Sequence, residues 1–581
     1  MTVASWRSVT TRAFTSGSVL LTIALAPAMA AIWSVGWFVP QDAPAHVYNA
    51  EILARSFDPA SPLTESFAIR WQPIPNWIGH LLLAGLVRVV PAPMADRILT
   101  SLTLAGFAAS IFWLRNRIAR DRPDASRWDR LPAAALSALL AMNLTWLLGF
   151  TSFALGSCLF PITLGYWWPR RDRMRLRDVV GLGLLLVLGY FCHLVSLGLT
   201  LMALGFLALA TPMAGGMGLR SLLTRLLPLA VAALPILPLG FLYLGIASQS
   251  GPMRPVWENL ADPSSILAWK AQLSWADPIT LMRKDALPFT DLVATSCMVL
   301  APVFWLSAAL TVCVVARLAD RLRSPSRLVL DRPGRGWWML ATLLTVGGVI
   351  GPDTMGPQHG NYLPQRVVLF GLVAAAVSLR MDLSRPSGRI ATAGLAVALV
   401  LQSAIVWDYA LYSDRTAGAI VRAREDVGRG RRVAFVAGTI RSRFRSNPMM
   451  HVDNWLGVDT DNIIWGNYET LHYYFPVQFR EGLARPSPEE LEEILITDAP
   501  MDADRRARQW ADLLARNADS IDVLVTYRDE PLLDAVSLRF FREDRRRGDV
   551  RILVRDPSRV VDGPSTARPA AVAVARALLE D

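Results

Sequence analysis

Cysteine is scarce in this sequence, and it is missing where a secreted domain or a zinc finger would need it. The chain of 581 residues has four cysteines, which all lie in long apolar segments: Cys158, Cys192, Cys297 and Cys313. The polar C-terminal part has none, which excludes a disulfide framework or a cysteine zinc site there. Repeats of solenoid period are also absent, so a repeat architecture is excluded.

Charge is scarce in the middle of the apolar segments. Apolar residues make up 53% of the chain, the mean hydropathy is +0.33, and the apolar residues come in blocks. This pattern predicts a polytopic helical membrane protein. Transporters carry ionisable residues and broken helices at mid-membrane, so the scarcity of charge there disfavours a transporter.

The predicted membrane topology explains the net charge of +11. Basic residues gather in short loops, as expected of cytoplasmic loops, so the charge does not indicate nucleic-acid binding. The sequence Ala28-Met29-Ala30 resembles a signal-peptide cleavage site, but the apolar run continues to Val39, which favours a retained anchor. We predict a multi-pass protein of a bacterial-type cytoplasmic (inner) membrane, with the N-terminus inside and about 11 spans. The spans lie near 18–39, 96–114, 131–149, 153–168, 178–192, 194–210, 226–247, 291–314, 337–352, 365–380 and 390–407.

Three regions are predicted along the chain. Residues 1–407 form the multi-span domain, in which 76–90 is interpreted as a surface helix because a span there would place an arginine-rich loop outside. Residues 408–562 form an exoplasmic (periplasmic) α/β domain, and 563–581 form a loose tail. Within the α/β domain we predict strands at 432–440, 521–527 and 550–554 and helices from 487 and over 505–516.

Ionisable residues gather at the outer side of the predicted membrane domain. Because such groups are costly at membrane depth and usually functional, they predict a site at the outer face. His193 lies at the end of a span and is interpreted as structural. The candidates are Asp42, His46, Glu51, His80, Arg254, Asp353, His359 and Arg366.

Asp42 has two compatible interpretations. It precedes a helical stretch with Pro44 in the first turn, which is typical of an N-cap. It also suits an acid that faces a cavity, and His46 follows one turn later on the same helix face as a partner. Glu51 is better interpreted as a solvated helix residue.

Two further segments have open interpretations. The glycine- and proline-rich loop 351–366 ends at Arg366, whose guanidinium suits either an interfacial anchor or a phosphate clamp. The aromatic segment 467–475 in the tail is interpreted as domain packing rather than as a saccharide groove.

The chain resembles membrane glycosyltransferases of the GT-C type, which use polyprenyl-phosphate-linked sugars and include aminoarabinose transferases and protein O-mannosyltransferases. The resemblance covers roughly the first 410 residues. It rests on Asp42 within Asp-Ala-Pro-Ala-His just after the first span, on a proline-containing surface helix expected at Trp71–Trp77, on the many spans and on the exoplasmic tail. It implies that Asp42 acts as a base or helps to bind a divalent cation. Metal use stays open because many members have paired acids here, whereas Ala43 follows Asp42.

The first functional hypothesis is sugar transfer from a polyprenyl phosphate to a glycan, lipid or protein acceptor at the outer face. Asp42, with His46, would act in catalysis, and Arg366, His359 and Arg254 would bind the donor phosphate. Glu51, His80 and Asp353 are further candidates. The alternatives are a flippase for lipid-linked glycans and a non-catalytic assembly protein. Membrane lipids are expected partners in each case, and nucleic acid is not.

Overall fold

The computed structural model describes residues 17–119, 129–211, 219–248, 274–283, 298–323, 332–354, 362–379, 381–438, 440–495 and 503–559. Helices predominate, which confirms the predicted mainly α class. The helices are α1 (Gly17–Ser34), α2 (Ala43–Arg55), α3 (Leu63–Ser66), α4 (Trp77–Leu86), α5 (Ala92–Ala119), α6 (Arg130–Ala141), α7 (Leu144–Leu147), α8 (Thr151–Trp167), α9 (Leu176–Cys192), α10 (Leu194–Ala210), α11 (Leu219–Ala233), α12 (Ile236–Ala247), α13 (Pro302–Arg323), α14 (Arg332–Ile350), α15 (Leu363–Ser378), α16 (Pro386–Arg422), α17 (Arg424–Val427), α18 (Pro488–Leu495), α19 (Ala503–Asn517) and α20 (Pro531–Ser537). The strands are β1 (Phe67–Ile69), β2 (Arg432–Ala437), β3 (Ile463–Ile464), β4 (Val477–Phe479), β5 (Val523–Tyr527), β6 (Phe541–Arg547) and β7 (Val550–Arg555).

The chain divides into two compact units. The first unit comprises Met1–Ser34, Pro73–Gly79 and Leu99–Asp408. The second unit comprises Val35–Gln72, His80–Ile98 and Tyr409–Asp581. Segments that follow the first predicted span therefore belong to the same unit as the tail.

Three described helices are long and apolar enough to cross a membrane: Gly17–Ser34, Ala92–Ala119 and Pro386–Val427. Leu222–Ala233 and Ile236–Ala247 make a fourth if the 50° bend between them lies within one span. A described helix lies in each of the other predicted spans, but these helices are shorter or less apolar. The figure of about 11 spans therefore stays a prediction.

Helices α14 and α15 of the first unit pack closely because glycines lie at their contact. A Cβ atom on Gly371 would lie 2.5 Å from Thr345 Oγ1, and one on Gly348 would lie 2.6 Å from Val368 Cγ2. Small residues at such a crossing let two backbones approach, as in membrane helix pairs. Large apolar side chains elsewhere on this unit face outward, such as Phe241, which is 73% exposed.

The second unit contains a five-stranded sheet in the order β3-β2-β5-β7-β6. Strand β2 is parallel to β3 and β5, while β7 is antiparallel to β5 and β6. Strands β2, β5 and β7 and helices α18 and α19 lie at the predicted places. Strand β6 was not predicted because its residues after Phe541 are all polar and exposed, as suits the edge of a sheet. Strands β1 and β4 form a separate antiparallel pair.

Arg506 joins α19 to the neighbouring elements of the second unit. Its side chain is buried, and its Nε donates to the carbonyl oxygen of Ile494 at 2.7 Å. One terminal nitrogen contacts Glu530 Oε2 at 2.7 Å, and the other donates to the carbonyl oxygen of Ala437 in β2. All three nitrogens of the guanidinium fork therefore bond to different segments.

Candidate active site

Helix α2 presents a row of polar side chains to the tail segments of the second unit. Asn49 and Asn467 exchange two amide hydrogen bonds of 2.9 Å each. The hydroxyl of Tyr48 donates to the carbonyl oxygen of Asn462 at 2.7 Å. These residues are buried, so the bonds fix α2 against the segment 462–475.

Asp42 occupies the N-cap position of α2, as predicted, but its side chain makes no capping hydrogen bond. The carboxylate instead accepts a hydrogen bond from Gln41 Nε2 at 3.4 Å, and the nearby Tyr468 side chain favours its ionised form. It also lies 3.6 Å from Nε2 of His451. The acid therefore faces a small polar cluster of the tail and leaves the helix end without a side-chain cap.

The electrostatics of this cluster are dominated by burial. Burial raises the pKa of Asp42 to about 6, although His46 and the hydrogen bonds from Tyr468 and Gln41 act in the opposite direction. Burial lowers the pKa of His451 to about 3, so His451 is a neutral imidazole despite its approach to a carboxylate. The contact between Asp42 and His451 is therefore not a salt bridge. The His451 ring stacks on the Tyr468 ring at 4.2 Å.

His46 and His80 meet at one carboxylate, that of Glu469. Nδ1 of His46 contacts Oε1 of Glu469, and Nε2 of His80 lies 2.7 Å from Oε2. All three side chains are buried. Burial would raise the pKa of Glu469, but the two imidazoles lower it to about 2. The side-chain partner of His46 in the structure is thus Glu469, and the expected pairing with Asp42 is replaced by this contact.

The aromatic segment 467–475 packs as predicted. The ring of Phe475 lies 6.0 Å from the His46 ring and 5.6 Å from the His80 ring. The interpretation as packing nevertheless missed Glu469, Tyr468 and, earlier in the tail, His451. An acid inside a segment expected to be buried was the available signal, because such a carboxylate needs partners.

Glu51 is buried, so its interpretation as a solvated residue is wrong. Its oxygens accept from the backbone N–H of Asp459 at 2.9 and 3.1 Å and pair with Arg55 at 2.6 Å. Asp459 has a positive φ of 59°, and the carboxylate helps to hold that turn. Glu51 therefore has a structural role in the second unit.

The carboxyl group of Glu492 in α18, which lies near Asp42, allows the effect of burial on a pKa to be tested. Burial, with Asp42, Glu489 and Asp453 adding repulsion, raises the pKa of Glu492 from 4.5 to about 7. The folded chain then keeps a proton that the unfolded chain releases, so stability falls as the pH rises from about 4.5 to 7. We expect Glu492→Gln to raise the melting temperature at pH 8 and to change it less at pH 5, measured by thermal unfolding.

The neighbouring Glu493 is exposed, which makes Glu493→Gln the matched control. This control should change the melting temperature little at either pH. A Glu492→Gln variant whose melting temperature differs from that of the wild type by the same amount at pH 5 and pH 8 would contradict the raised pKa of Glu492.

Arg366 and Asp353 lie in the first unit. Nη1 of Arg366 lies 3.1 Å from His193 Nε2, and its guanidinium covers the rings of Phe150 and Phe153 at 4.9 and 5.0 Å. His193 Nδ1 accepts from the N–H of Val195 and caps α10, which agrees with a structural role. The carbonyl oxygen of Asp353 accepts from the N–H of Leu363 at the start of α15. The candidates Arg254 and His359 lie outside the described residues.

The resemblance implies that Asp42 helps to bind a divalent cation, but few potential ligands lie near its carboxylate. Among the described residues, the polar side chains near its carboxylate are those of Gln41, Tyr468 and His451, and none of these is a carboxylate. In the part of the chain that the structure describes, the group of three ligand-type side chains brought together is His46, His80 and Glu469. The surroundings of Asp42 thus do not form the ligand set of a metal site.

No family model matches the chain, and no curated protein is significantly similar to it in sequence. Solved structures are similar to it over most of its length. The arabinofuranosyltransferase AftD from Mycobacteria has 14% identity and a TM-score of 0.44, with 94% of this chain and 42% of that chain covered. ArnT from Cupriavidus metallidurans has 13% identity and a TM-score of 0.39, with 94% and 98% covered. The archaeal oligosaccharyltransferase AglB from Archaeoglobus fulgidus, in complex with an inhibitory peptide and a dolichol-phosphate, has 12% identity and a TM-score of 0.43, with 94% and 75% covered.

These proteins are GT-C glycosyltransferases. The chain spans less than half the length of AftD. At such identities and TM-scores, neither a fold assignment nor an activity of this chain follows from the similarity. The solved neighbours are of the GT-C type that the sequence resembles.

Proposed function

We propose that this chain is a membrane glycosyltransferase that moves a sugar from a polyprenyl-phosphate donor to an acceptor hydroxyl at the outer face of the cytoplasmic membrane. The observation that carries the proposal is the convergence of chemistry-bearing side chains in the second unit. Asp42, from the segment after the first span, meets Tyr468 and His451 from the tail. Clusters of buried, perturbed ionisable groups are typical of functional sites.

In this mechanism Asp42 accepts the proton of the acceptor hydroxyl. The acceptor oxygen forms a bond to the anomeric carbon, and the bond between that carbon and the phosphate oxygen breaks. The electron pair of the broken bond leaves with the polyprenyl phosphate, while the hydroxyl proton passes to a carboxylate oxygen of Asp42. A carboxylate whose pKa lies near neutrality suits this step, because it is ionised at pH 7 yet basic enough to hold the proton.

The charge that grows on the departing phosphate calls for a cation. Arg366 remains the predicted donor-binding residue, with His359 and Arg254 as further predictions. The planar guanidinium of Arg366 can bind two phosphate oxygens at once. The rings of Phe150 and Phe153 lie against the guanidinium, and its Nη1 lies 3.1 Å from Nε2 of His193.

The proposal is tested by donor turnover. The purified chain in lipid nanodiscs is supplied with polyprenyl phosphates that carry different radiolabelled sugars and with a membrane glycan and lipid extract as the acceptor. We expect release of polyprenyl phosphate from one donor and transfer of its label to an acceptor. In parallel, a strain that lacks the chain should lose one sugar from an envelope glycan or lipid and accumulate the donor.

Other outcomes would overturn the proposal. Movement of a lipid-linked glycan across vesicles without a new glycosidic bond would instead identify a flippase. Loss of the glycan after deletion of the tail, with full function after combined substitution of Asp42, His46 and Arg366, would identify an assembly protein.

A further inference from the structure

We infer that His46, His80 and Glu469 form a binding site for one divalent transition-metal ion, with Zn²⁺ the best match. The three ligand atoms lie within 4.8 Å of one another. They come from α2, from α4 and from the short 3-10 helix Tyr468–Leu471, which are far apart along the chain. The inference does not depend on glycosyl transfer.

The geometry directs both imidazoles toward the two oxygens of one carboxylate. The rings of His46 and His80 are 5.4 Å apart and nearly perpendicular, at 88°. His46 offers Nδ1 and His80 offers Nε2, and both atoms are directed at the Glu469 carboxylate. In a tetrahedral site with bonds of about 2.0–2.1 Å, ligand atoms lie about 3.3 Å apart. Small side-chain rotations would therefore open the present contacts to that spacing.

The surroundings resemble those of a metal centre more than those of an ordinary core. The exposed fractions are 5% for His46, 1% for His80 and 0% for Glu469. The ring of Phe475 lies against both imidazoles and gives the cluster an apolar wall. A buried carboxylate needs polar partners, and a divalent cation could supply them as the two imidazoles do in the structure.

The donor set determines the class of ion. Two imidazole nitrogens and one carboxylate oxygen suit Zn²⁺ and its first-row neighbours, whereas Ca²⁺ and Mg²⁺ prefer oxygen ligands. Three protein ligands leave a fourth coordination position for water or for an oxygen of a bound molecule. Binding would replace the hydrogen bonds to Glu469, and both imidazoles would then coordinate through nitrogen lone pairs.

A hydrogen-bonded triad is the competing interpretation. In that case His46 and His80 each donate to Glu469, and both carboxylate oxygens are satisfied without an ion. The two interpretations differ in an observable that does not involve catalysis, namely stoichiometric metal binding that depends on all three side chains.

The test measures metal content on the full chain, purified in detergent and stripped with a chelator. After addition of Zn²⁺ and removal of the excess, inductively coupled plasma mass spectrometry should find one equivalent in the wild type. His46→Ala, His80→Ala and Glu469→Gln should each bind Zn²⁺ at least about 100-fold more weakly in calorimetric titration. His472→Gln, a substitution in the same segment outside the triad, should keep one equivalent.

A measurement on the wild type alone keeps the test informative if a variant fails to fold. Zn²⁺ should raise the melting temperature of the stripped wild type, and Mg²⁺ at the same concentration should not. Absence of stoichiometric Zn²⁺ in the wild type, or equal binding by wild type and folded Glu469→Gln, would overturn the site. Loss of the metal in a folded His472→Gln variant would overturn this choice of ligands.

Discussion

Replacing Asp42 by Asn is expected to lower sugar transfer at least about 100-fold, which is the scale of general-base catalysis. The amide has nearly the same shape and can still accept the hydrogen bond from Gln41, but it cannot take up the proton of an acceptor hydroxyl. The protein should therefore stay folded and in the membrane. The measurement is the rate of donor turnover in nanodiscs, compared at equal amounts of protein.

Asp58 offers a matched control for this substitution. It follows α2 in the same unit, is exposed, and accepts a local hydrogen bond from the N–H of Ala60. Asp58→Asn should keep the wild-type rate. Full activity of Asp42→Asn under conditions in which Asp58→Asn is also active would remove Asp42 from the mechanism.

Arg506→Ala is expected to destabilise the tail part of the second unit by about 3–5 kcal/mol, the usual cost of breaking a buried pair by removing one partner. The substitution leaves the carboxylate of Glu530 and the carbonyl groups of Ile494 and Ala437 without their donor. The apparent free energy of unfolding can be measured by urea-dependent pulse proteolysis of the full chain in detergent, following cleavage in the tail.

Arg508 lies two residues further along α19 and is exposed, so Arg508→Ala is the control. Its effect should stay within about 0.5 kcal/mol. Arg506→Lys keeps the positive charge but loses the forked guanidinium. We expect it to lower the free energy of unfolding by an amount between those of the two alanine variants. Equal stability of Arg506→Ala and Arg508→Ala would show that the three bonds contribute little.

Some features could be predicted because their physical signal is local. Pro44 after an acid indicates the start of α2, and the apolar runs of β5 and β7 indicate buried strands. Strand β6 gave no such signal, because its conformation depends on pairing with β7 and its side chains after Phe541 are exposed.

The composition of the candidate site could not be predicted, because its partners are distant in sequence. His46 and Glu469 are separated by 423 positions, and neither carries a spacing signature that names the other. The local rule that pairs residues one helical turn apart favoured Asp42 as the partner of His46. In the folded chain, Asp42 instead interacts with Tyr468 and His451, and the imidazole of His46 interacts with Glu469.

The reciprocal amide bonds between Asn49 and Asn467 have a consequence for biosynthesis. At about 5–20 residues per second, a ribosome needs roughly 20–80 s to advance the 418 positions from Asn49 to Asn467. Throughout that time the polar row of α2 lacks its native partners. The helix therefore gains these contacts only after most of the chain has been made, and a truncated product would present an unfinished N-terminal segment to cellular proteases.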